Sequence, residues 1–252
     1  MLQRGFICLM YHDLAVAPHG AYTLSWQSFG EQMDRLQEAG WVVEGFGGLE
    51  RRLQEGSWPG RYAVLSFDDG YRSFLRVAEM LRDRGVSGTF FLTRDYCRQR
   101  PEYLPEAEVR ILAELAELGT HGATHEPLSR RSADRVRLEL AESKRWLEDL
   151  TGREVRYMSA PGGAWSRACQ MLASEAGYTL VGNSVEWWNR PECTARSRQV
   201  NRVALRTHFS LEQFERILAG DLRFFLGRRL RSLVLAGPRV VRWLWEVRRR
   251  AR

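Results

Sequence analysis

The stretch that decides the fold is Val64-Leu65-Ser66-Phe67-Asp68-Asp69-Gly70, an apolar run that ends in two adjacent carboxylates and a glycine. The apolar residues predict a buried strand, where carboxylates are unfavourable unless a cation, a proton or hydrogen bonds compensate their charge. Successive side chains of a strand point to opposite faces, so both carboxylates can serve one site only if the backbone turns there. Gly70 permits that turn. We therefore predict a chemical site at the carboxyl end of this strand.

Further apolar runs predict more strands, and the amphipathic segments between them predict helices. The predicted strands cover residues 6–10, 41–43, 62–67, 86–92, 155–160, 179–182 and 201–206. One helix is predicted from residue 105 to residue 119, because valine and leucine residues recur there at helical spacing. An alternation of helices with seven or eight strands favours an α/β fold with a parallel sheet or barrel over a sandwich.

The charge is distributed unevenly along the 252 residues. The net charge is +7, and residues 221–252 hold ten Arg against only two acidic residues, so residues 1–220 are close to neutral. The sequence therefore predicts one large domain over residues 1–220 and a basic tail over residues 221–252.

The tail combines arginine with leucine, phenylalanine and tryptophan, an amphipathic mixture that suits a helix lying on an anionic membrane surface. Packing of the tail on the barrel or on another subunit is the alternative, and both stay open. Nucleic acid is not an expected partner, because the charge is interleaved with large apolar residues and the body is neutral.

The cysteines and the start of the chain bear on location. Four cysteines lie far apart without a CxxC pair, which disfavours a disulfide framework or a thiolate zinc site. The apolar run over residues 6–10 is too short for a signal-peptide core. We expect a cytoplasmic protein, peripheral on the inner face of the membrane if the tail attaches there.

His121 and His125 are the next candidates for chemistry. On an extended strand they would lie ~13 Å apart, too far for one ion, so the segment is predicted to bend or to form one helical turn. Two His and one Asp suit Zn²⁺ or a similar divalent ion, and the second Asp could then act as a base. Judged from the residues alone, a surface or capping role is the alternative.

Several motifs in this order resemble those of the NodB-type polysaccharide deacetylases, carbohydrate esterase family 4. The matching segments are residues 9–12, 66–70, 88–92, 121–125 and 150–152. The resemblance covers roughly residues 5 to 210. It implies a distorted (β/α) barrel of about seven strands, with the active site at the carboxyl ends of the strands.

By this resemblance Asp68 matches the catalytic base, and Asp69, His121 and His125 match the ligands of a divalent metal ion, with Zn²⁺ expected. The implied reaction is hydrolysis of an N-acetyl group, less often an O-acetyl group, on a sugar. The expected substrate is an acetylated glycan or a lipid-linked or nucleotide-linked intermediate of cell-surface polysaccharide synthesis.

The chain departs from the family pattern in two places. Ser159 stands where an arginine that holds the base is expected, and residues 183–187 stand where an Asp is expected before a Trp. These departures leave open how the pKa of Asp68 is tuned. They also motivate an alternative function, a membrane-associated glycan-binding barrel without turnover.

The remaining site predictions concern the general acid and the substrate. His208 fits a family pattern for the general acid, and His12 at the end of the first predicted strand is the second candidate. Pro161, Gly162 and Trp187 are predicted to contact the substrate or the oxyanion. For Trp187, core packing is the alternative.

Overall fold

The computed structural model describes residues 5–228. Eleven strands are found in this range. They are β1 (Ile7–Tyr11), β2 (Leu14–Ala15), β3 (Leu24–Ser25), β4 (Val42–Glu44), β5 (Tyr62–Phe67), β6 (Thr89–Leu92), β7 (Glu117–Thr120), β8 (Tyr157–Ser159), β9 (Leu180–Gly182), β10 (Gln199–Val200) and β11 (Val203–Ala204).

Nine of these strands form one parallel sheet in the order β10-β9-β8-β7-β6-β5-β1-β11, with β4 paired to β5, while β2 and β3 pair separately. Towards the β11 end of this order, β1 runs beside β5 in a register that places Ile7 opposite Ala63 and Tyr11 opposite Phe67. Parallel neighbours require crossover connections, which the helices supply. The predicted α/β fold, a distorted barrel of parallel strands, is confirmed as a curled parallel sheet.

Between residues 26 and 218, nine α-helices connect or follow these strands. They are α1 (Trp26–Glu38), α2 (Phe46–Glu55), α3 (Phe74–Asp83), α4 (Arg94–Gln99), α5 (Glu106–Leu115), α6 (Ala133–Thr151), α7 (Arg167–Glu175), α8 (Pro191–Ser197) and α9 (Leu211–Leu218). Helices α1, α6 and α7 begin with a capping serine: the Ser25, Ser132 and Ser166 side chains each accept a hydrogen bond from a backbone N–H of the first turn.

The core is built on aromatic residues around β5. All six residues of this strand are buried. The Phe67 ring stacks on Phe90 with ring centroids 4.6 Å apart and on Tyr11 at 5.3 Å. This packing holds β5 between β1 and β6 and fixes the point at which its chain leaves the sheet.

The helix predicted over residues 105–119 is wrong at its carboxyl end. Helix α5 stops at Leu115, and Leu118 and Gly119 belong to strand β7. A Cβ atom on Gly119 would lie 2.6 Å from the Phe91 ring and 2.8 Å from the Tyr157 carbonyl oxygen. The glycine thus permits close approach of neighbouring strands, and this tertiary packing overrides the helical spacing of the leucines.

The strand predicted over residues 201–206 is also shorter than expected. It borders the seam of the sheet, by which we mean the opening between the two end strands, β10 and β11. Strand β10 pairs with β9, β11 pairs with β1, and among the strands described β10 and β11 do not pair with each other. Only Asn201 and Arg202 connect these two edges. Arg202 is completely buried, so its side chain points into the protein at the seam.

The chain divides into two compact units, of which the first ends at Phe209 and the second begins at Ser210. In the second unit a capping box between Ser210 and Gln213 starts α9, and residues 222–228 are helical. Most of the predicted basic tail, residues 229–252, lies outside the described residues. Within residues 5–228 we find no helix with the length and apolar character needed to cross a bilayer.

Candidate metal centre and catalytic carboxylate

Asp69, His121 and His125 converge at the carboxyl ends of β5 and β7. The Asp69 Oδ1 atom lies 3.3 Å from His121 Nε2 and 3.2 Å from His125 Nε2. One ligand atom from each residue lies within 4.8 Å of the other two. The structure therefore brings together the three residues that the resemblance assigns to a metal ion.

The backbone bends sharply at this site. Asp69 and His125 have positive φ angles of 86° and 68°, a conformation that costs of order 1–3 kcal/mol at residues other than glycine. Gly70 and Gly122, at 99° and 76°, take the same region without that cost. The predicted bend between His121 and His125 is therefore present, as an irregular turn and not as a helical turn.

The donor set fits a divalent ion. Asp69 Oδ1 is buried and has no hydrogen-bond partner among the described residues. Bonds of ~2.0–2.1 Å to a tetrahedral ion separate two ligand atoms by ~3.4 Å, close to the 3.2 and 3.3 Å measured here. Burial alone raises the pKa of Asp69, but His121 and His125 outweigh it and hold that pKa well below its usual range.

His121 is oriented by a second contact. Its Nδ1 atom lies 3.0 Å from the Ser159 carbonyl oxygen, which suits an Nδ1–H donor and leaves Nε2 free to bind an ion. Burial lowers the pKa of His121, but the charges of Asp68 and Asp69 outweigh burial and raise it.

Glu139 of α6 fixes the loop between the two histidines. Its Oε2 atom accepts hydrogen bonds from the backbone N–H groups of Ala123 at 2.9 Å and Thr124 at 3.0 Å. Its Oε1 atom accepts from the Thr124 hydroxyl at 2.7 Å and pairs with Arg135 at 2.8 Å. Glu139 was not predicted from the sequence; a glutamate at an inward-facing position of an amphipathic helix was the available signal.

Asp68 points to a different partner. Arg202 Nη1 donates to Asp68 Oδ1 at 2.7 Å and Nη2 donates to Oδ2 at 2.9 Å. Burial raises the pKa of Asp68, but Arg202, with a smaller contribution from His121, outweighs burial and keeps that pKa below its usual value. Asp68 Oδ2 also lies 3.9 Å from His121 Nε2, which places this carboxylate beside the three ligands.

The question that Ser159 left open is answered by the same arginine. Ser159 Oγ accepts from Arg202 Nη2 at 2.7 Å and donates to Asp68 Oδ2 at 2.8 Å. A guanidinium therefore contacts Asp68 although position 159 carries none. Arg202 was not predicted from the sequence, where its only signal is an arginine beside an apolar strand.

The two general-acid candidates lie in different surroundings. His12 follows β1; its Nδ1 atom is buried without a hydrogen-bond partner in the described part of the chain, and its ring lies 4.8 Å from the Tyr22 ring. Burial lowers the pKa of His12, and the nearby charges of Asp69 and Asp68 oppose this in part. His208 is exposed and packs edge-on against Phe209 at 5.1 Å.

The predicted substrate contacts lie on loops at the same edge of the sheet. Pro161 and Gly162 follow β8. A Cβ atom on Gly122 would lie 3.1 Å from Pro161, so this loop packs against the loop between His121 and His125, which we call the ligand loop. Trp187 is half-buried in the segment after β9. Tyr96 was not predicted; its ring stacks on His125 at 5.2 Å.

Known proteins share this sequence pattern and fold. A family model described as "Polysaccharide deacetylase" matches residues 55–181, half of the chain. A chitooligosaccharide deacetylase from Bradyrhizobium sp. (strain ANU 289) is 32% identical over 136 residues, which are 52% of this chain and 60% of that protein. The peptidoglycan-N-acetylmuramic acid deacetylase PdaA of Bacillus subtilis is 28% identical over 124 residues, 48% of this chain and 46% of that protein.

The fold has a counterpart among solved structures. The Streptococcus pyogenes deacetylase PplD in complex with acetate superimposes with a TM-score of 0.76 at 17% identity, covering 85% of this chain and 98% of that one. At this identity the likeness concerns the fold. The chain spans 46% to 60% of the length of the two sequence relatives named above. With half of its residues matched by the family model, the chain belongs to the polysaccharide deacetylase family.

Proposed function

We propose that the protein is a metal-dependent hydrolase that removes an N-acetyl group from a sugar. The observation that carries this proposal is the placement of an ion-paired carboxylate, Asp68, beside three convergent metal-ligand side chains. A base beside an ion site supplies the two functions that metal-dependent hydrolysis of an amide uses, proton abstraction from water and polarisation of the carbonyl group. The sequence relatives, which are named as deacetylases of acetylated sugars, support the choice of substrate class.

Asp69, His121 and His125 would hold the ion, for which Zn²⁺ is expected from the two imidazoles and one carboxylate. A divalent ion at such a site lowers the pKa of a water and polarises a carbonyl group. The protein contributes the orientation of the ligands through the Ser159 carbonyl and through Glu139. It also contributes the base.

Asp68 takes the proton of the attacking water on its carboxylate. Its lowered pKa means that it is ionised, and so able to accept this proton, over the neutral range. For the proton donated to the leaving amine we favour His12 over His208, because Asp68 and Asp69 act electrostatically on His12 whereas His208 is exposed. His12 can donate this proton only in its protonated form, and burial lowers its pKa and so confines that form to more acidic pH, so kcat should fall as the pH rises.

The loops supply the substrate contacts in this proposal. The N–H of Gly162, in the turn after β8, is the proposed donor to the oxyanion. Trp187 is proposed to contact the sugar ring through its aromatic face. The Tyr96 ring, which stacks on His125, is proposed to hold that imidazole in place.

Acetate release is the test. The Zn²⁺-loaded protein is incubated with chitooligosaccharides and with nucleotide-linked and lipid-linked N-acetylhexosamines, and free acetate is measured. We expect release from at least one class, and a drop of about 10²–10⁴-fold in the Asp68→Asn variant. Asp134→Asn, which changes an almost fully exposed carboxylate, is the matched control. Release that is equal in the Asp68→Asn variant, or absent from every substrate, would refute the proposal.

The alternative, a glycan-binding barrel without turnover, is motivated by the departure at residues 183–187 and by Ser159 in place of an arginine that holds the base. The guanidinium of Arg202 beside Asp68 weakens that motive, because the base has a cationic partner after all. Metal content separates the two functions. One Zn²⁺ per chain that is lost in the His121→Ala variant favours the enzyme, whereas a stable metal-free protein favours the binder.

We further propose that residues 221–252 attach the protein to an anionic membrane surface on the cytoplasmic side. Support comes from the sequence of this segment alone, with ten Arg among leucine, phenylalanine and tryptophan residues. The full-length protein should float with vesicles that contain phosphatidylglycerol and not with phosphatidylcholine vesicles. Replacing Trp243 and Trp245 by alanine should reduce flotation, and equal recovery with both vesicle types would contradict attachment by charge.

A further inference from the structure

We propose that Arg202, together with Ser159, is the positioning pair that holds Asp68 in place for catalysis. This inference rests on the proposed function, because it assumes that Asp68 is the base. It assigns the role to a residue in the two-residue connection at the sheet seam, 134 residues along the chain from Asp68. We call Arg202 and Ser159 the Asp68 clamp.

The clamp occupies most of the hydrogen-bonding capacity of the carboxylate. An ionised carboxylate offers about four lone-pair directions. Arg202 uses one on each oxygen and the Ser159 hydroxyl uses a second on Oδ2. One direction is left for the proton of the reaction, so Asp68 can accept it in one orientation only.

The guanidinium is itself immobilised on its other side. Its Nε atom donates to the Asn183 carbonyl oxygen at 3.0 Å, and Nη1 lies 3.4 Å from Ser66 Oγ. A Cβ atom on Gly182 would lie 2.7 Å from Arg202 Nε and 2.9 Å from Cδ, so only glycine leaves room for this side chain. Each nitrogen of the Arg202 guanidinium donates a hydrogen bond, and the side chain is completely buried, so the guanidinium is held in one orientation.

The chemistry of the pair requires arginine. A bidentate contact with a carboxylate needs a planar fork, which lysine lacks. Loss of the fork should leave Asp68 free to rotate, and a misplacement of ~1 Å in a catalytic group costs on the order of 10²-fold in rate. Because the fork acts on the carboxylate of Asp68 and makes no hydrogen bond to the coordinating atoms of Asp69, His121 or His125, the loss should appear in kcat and not in KM.

Kinetics of clamp variants are the first arm of the test. Arg202→Met and Arg202→Lys should each lower kcat by about 100-fold, with unchanged KM and unchanged Zn²⁺ content. Ser159→Ala, which leaves the arginine in place, is the milder variant and should lower kcat several-fold. The matched control is Arg52→Met, which breaks the half-buried pair of Arg52 with Glu44 away from the site and should keep wild-type kcat.

A positional rescue makes the kinetic arm specific. Because Ser159 Oγ already lies 2.7 Å from Arg202 Nη2, an arginine built at position 159 starts beside the space that the Arg202→Met variant vacates. The double variant Arg202→Met with Ser159→Arg should recover at least 10-fold of the lost kcat. Wild-type kcat in Arg202→Met, or a loss of kcat matched by loss of bound Zn²⁺, would overturn the inference.

The second arm does not depend on activity. Urea unfolding of the metal-free wild type, Asp68→Asn, Arg202→Met and the double variant forms a double-mutant cycle. Arg202→Met should lower the urea midpoint strongly, because it leaves the buried charge of Asp68 unpaired. Adding Asp68→Asn removes that charge and should restore most of the lost midpoint. Additive effects of the two substitutions on the stability of the metal-free protein would overturn the inference. Absence of activity in all proteins, with this coupling intact, would instead refute the proposed function alone.

Discussion

Two neighbouring carboxylates acquire different chemistry from the residues that face them. Asp69 faces two imidazoles and, among the described residues, has an oxygen without a hydrogen-bond partner, which suits an ion. Asp68 faces a guanidinium and a hydroxyl, which keep it ionised and fixed in direction. The positive φ of Asp69 produces this division, because the turn sends consecutive side chains to separate partners at one end of the strand.

The pH dependence of stability provides a test at the residue scale. His12 has a lowered pKa because of burial, so the unfolded chain binds its proton more readily than the folded protein does. Stability of the metal-free protein should therefore fall as the pH drops below ~6.5, the pKa of an unperturbed histidine. The His12→Gln variant should lack this contribution.

The measurement is the free energy of unfolding in urea from pH 5 to pH 7.5, compared between the two proteins. Relative to the wild type, His12→Gln should become more stable as the pH falls. The matched control is His208→Gln, which removes an exposed histidine by the same substitution. A constant difference between wild type and His12→Gln across this range would contradict the burial argument.

At the scale of elements, the site depends on loops that are held from outside. Helix α6 contributes no ligand, yet its Glu139 accepts hydrogen bonds from two backbone N–H groups of the loop between the histidines. Strand β9 contributes no catalytic side chain, yet Gly182 on it makes room for Arg202. Both elements act by shaping the space in which the ligands and the base stand.

Replacing Glu139 by glutamine should loosen the ligand loop. An amide oxygen is a weaker acceptor than a carboxylate, and a glutamine also gives up the ion pair with Arg135. We expect a loss of about 10–100-fold in Zn²⁺ affinity, the range found for residues that orient metal ligands. Competition with a fluorescent chelator measures it. Glu142→Gln, on the same helix and paired with Arg94, should bind Zn²⁺ as the wild type does.

Gly182 and Gly30 form a matched pair of glycine positions. Gly182→Ala would bring a methyl group against Arg202, so both the urea midpoint and kcat should fall. Gly30 lies inside α1, where an added Cβ atom would meet no described atom within 4 Å beyond its chain neighbours and the backbone of α1 itself. Gly30→Ala should therefore raise stability by roughly 0.5–1 kcal/mol through helix propensity, with kcat unchanged. Equal effects at the two positions would refute the steric argument for Gly182.

For the whole molecule, ligand binding is linked to stability. An ion that binds only the folded protein should raise its stability by about 2.7 kcal/mol at 100 times Kd. Zn²⁺ should thus raise the Tm of the wild type and leave that of His125→Ala unchanged, as measured by calorimetry with and without chelator. The control is Asp13→Asn. Asp13 follows β1 and is not among the three candidate ligands, so this variant should retain the increase in Tm on adding Zn²⁺.

Features that depend on residues close together in the sequence could be predicted, and features that depend on residues far apart in the sequence could not. The strand ending at Phe67 and the cluster of Asp69, His121 and His125 were predictable, because an apolar run, a turn glycine and paired histidines are local patterns that together resemble the motifs of a known family. Strand β7 was not, because the leucines before it repeat at helical spacing and only packing against Phe91 and Tyr157 decides its conformation. Arg202 was missed because nothing near it in sequence identifies Asp68 as its partner.

The position of Arg202 so late in the chain also has a consequence during synthesis. Asp68 emerges 134 residues before the arginine that neutralises it, a delay of ~7–27 s at ~5–20 residues per second. Until then, closing the sheet would bury an unpaired charge, which is strongly unfavourable. A nascent or prematurely terminated chain should therefore stay open around Asp68 and be exposed to proteases, so that translation through residue 202 acts as a checkpoint for completing the barrel.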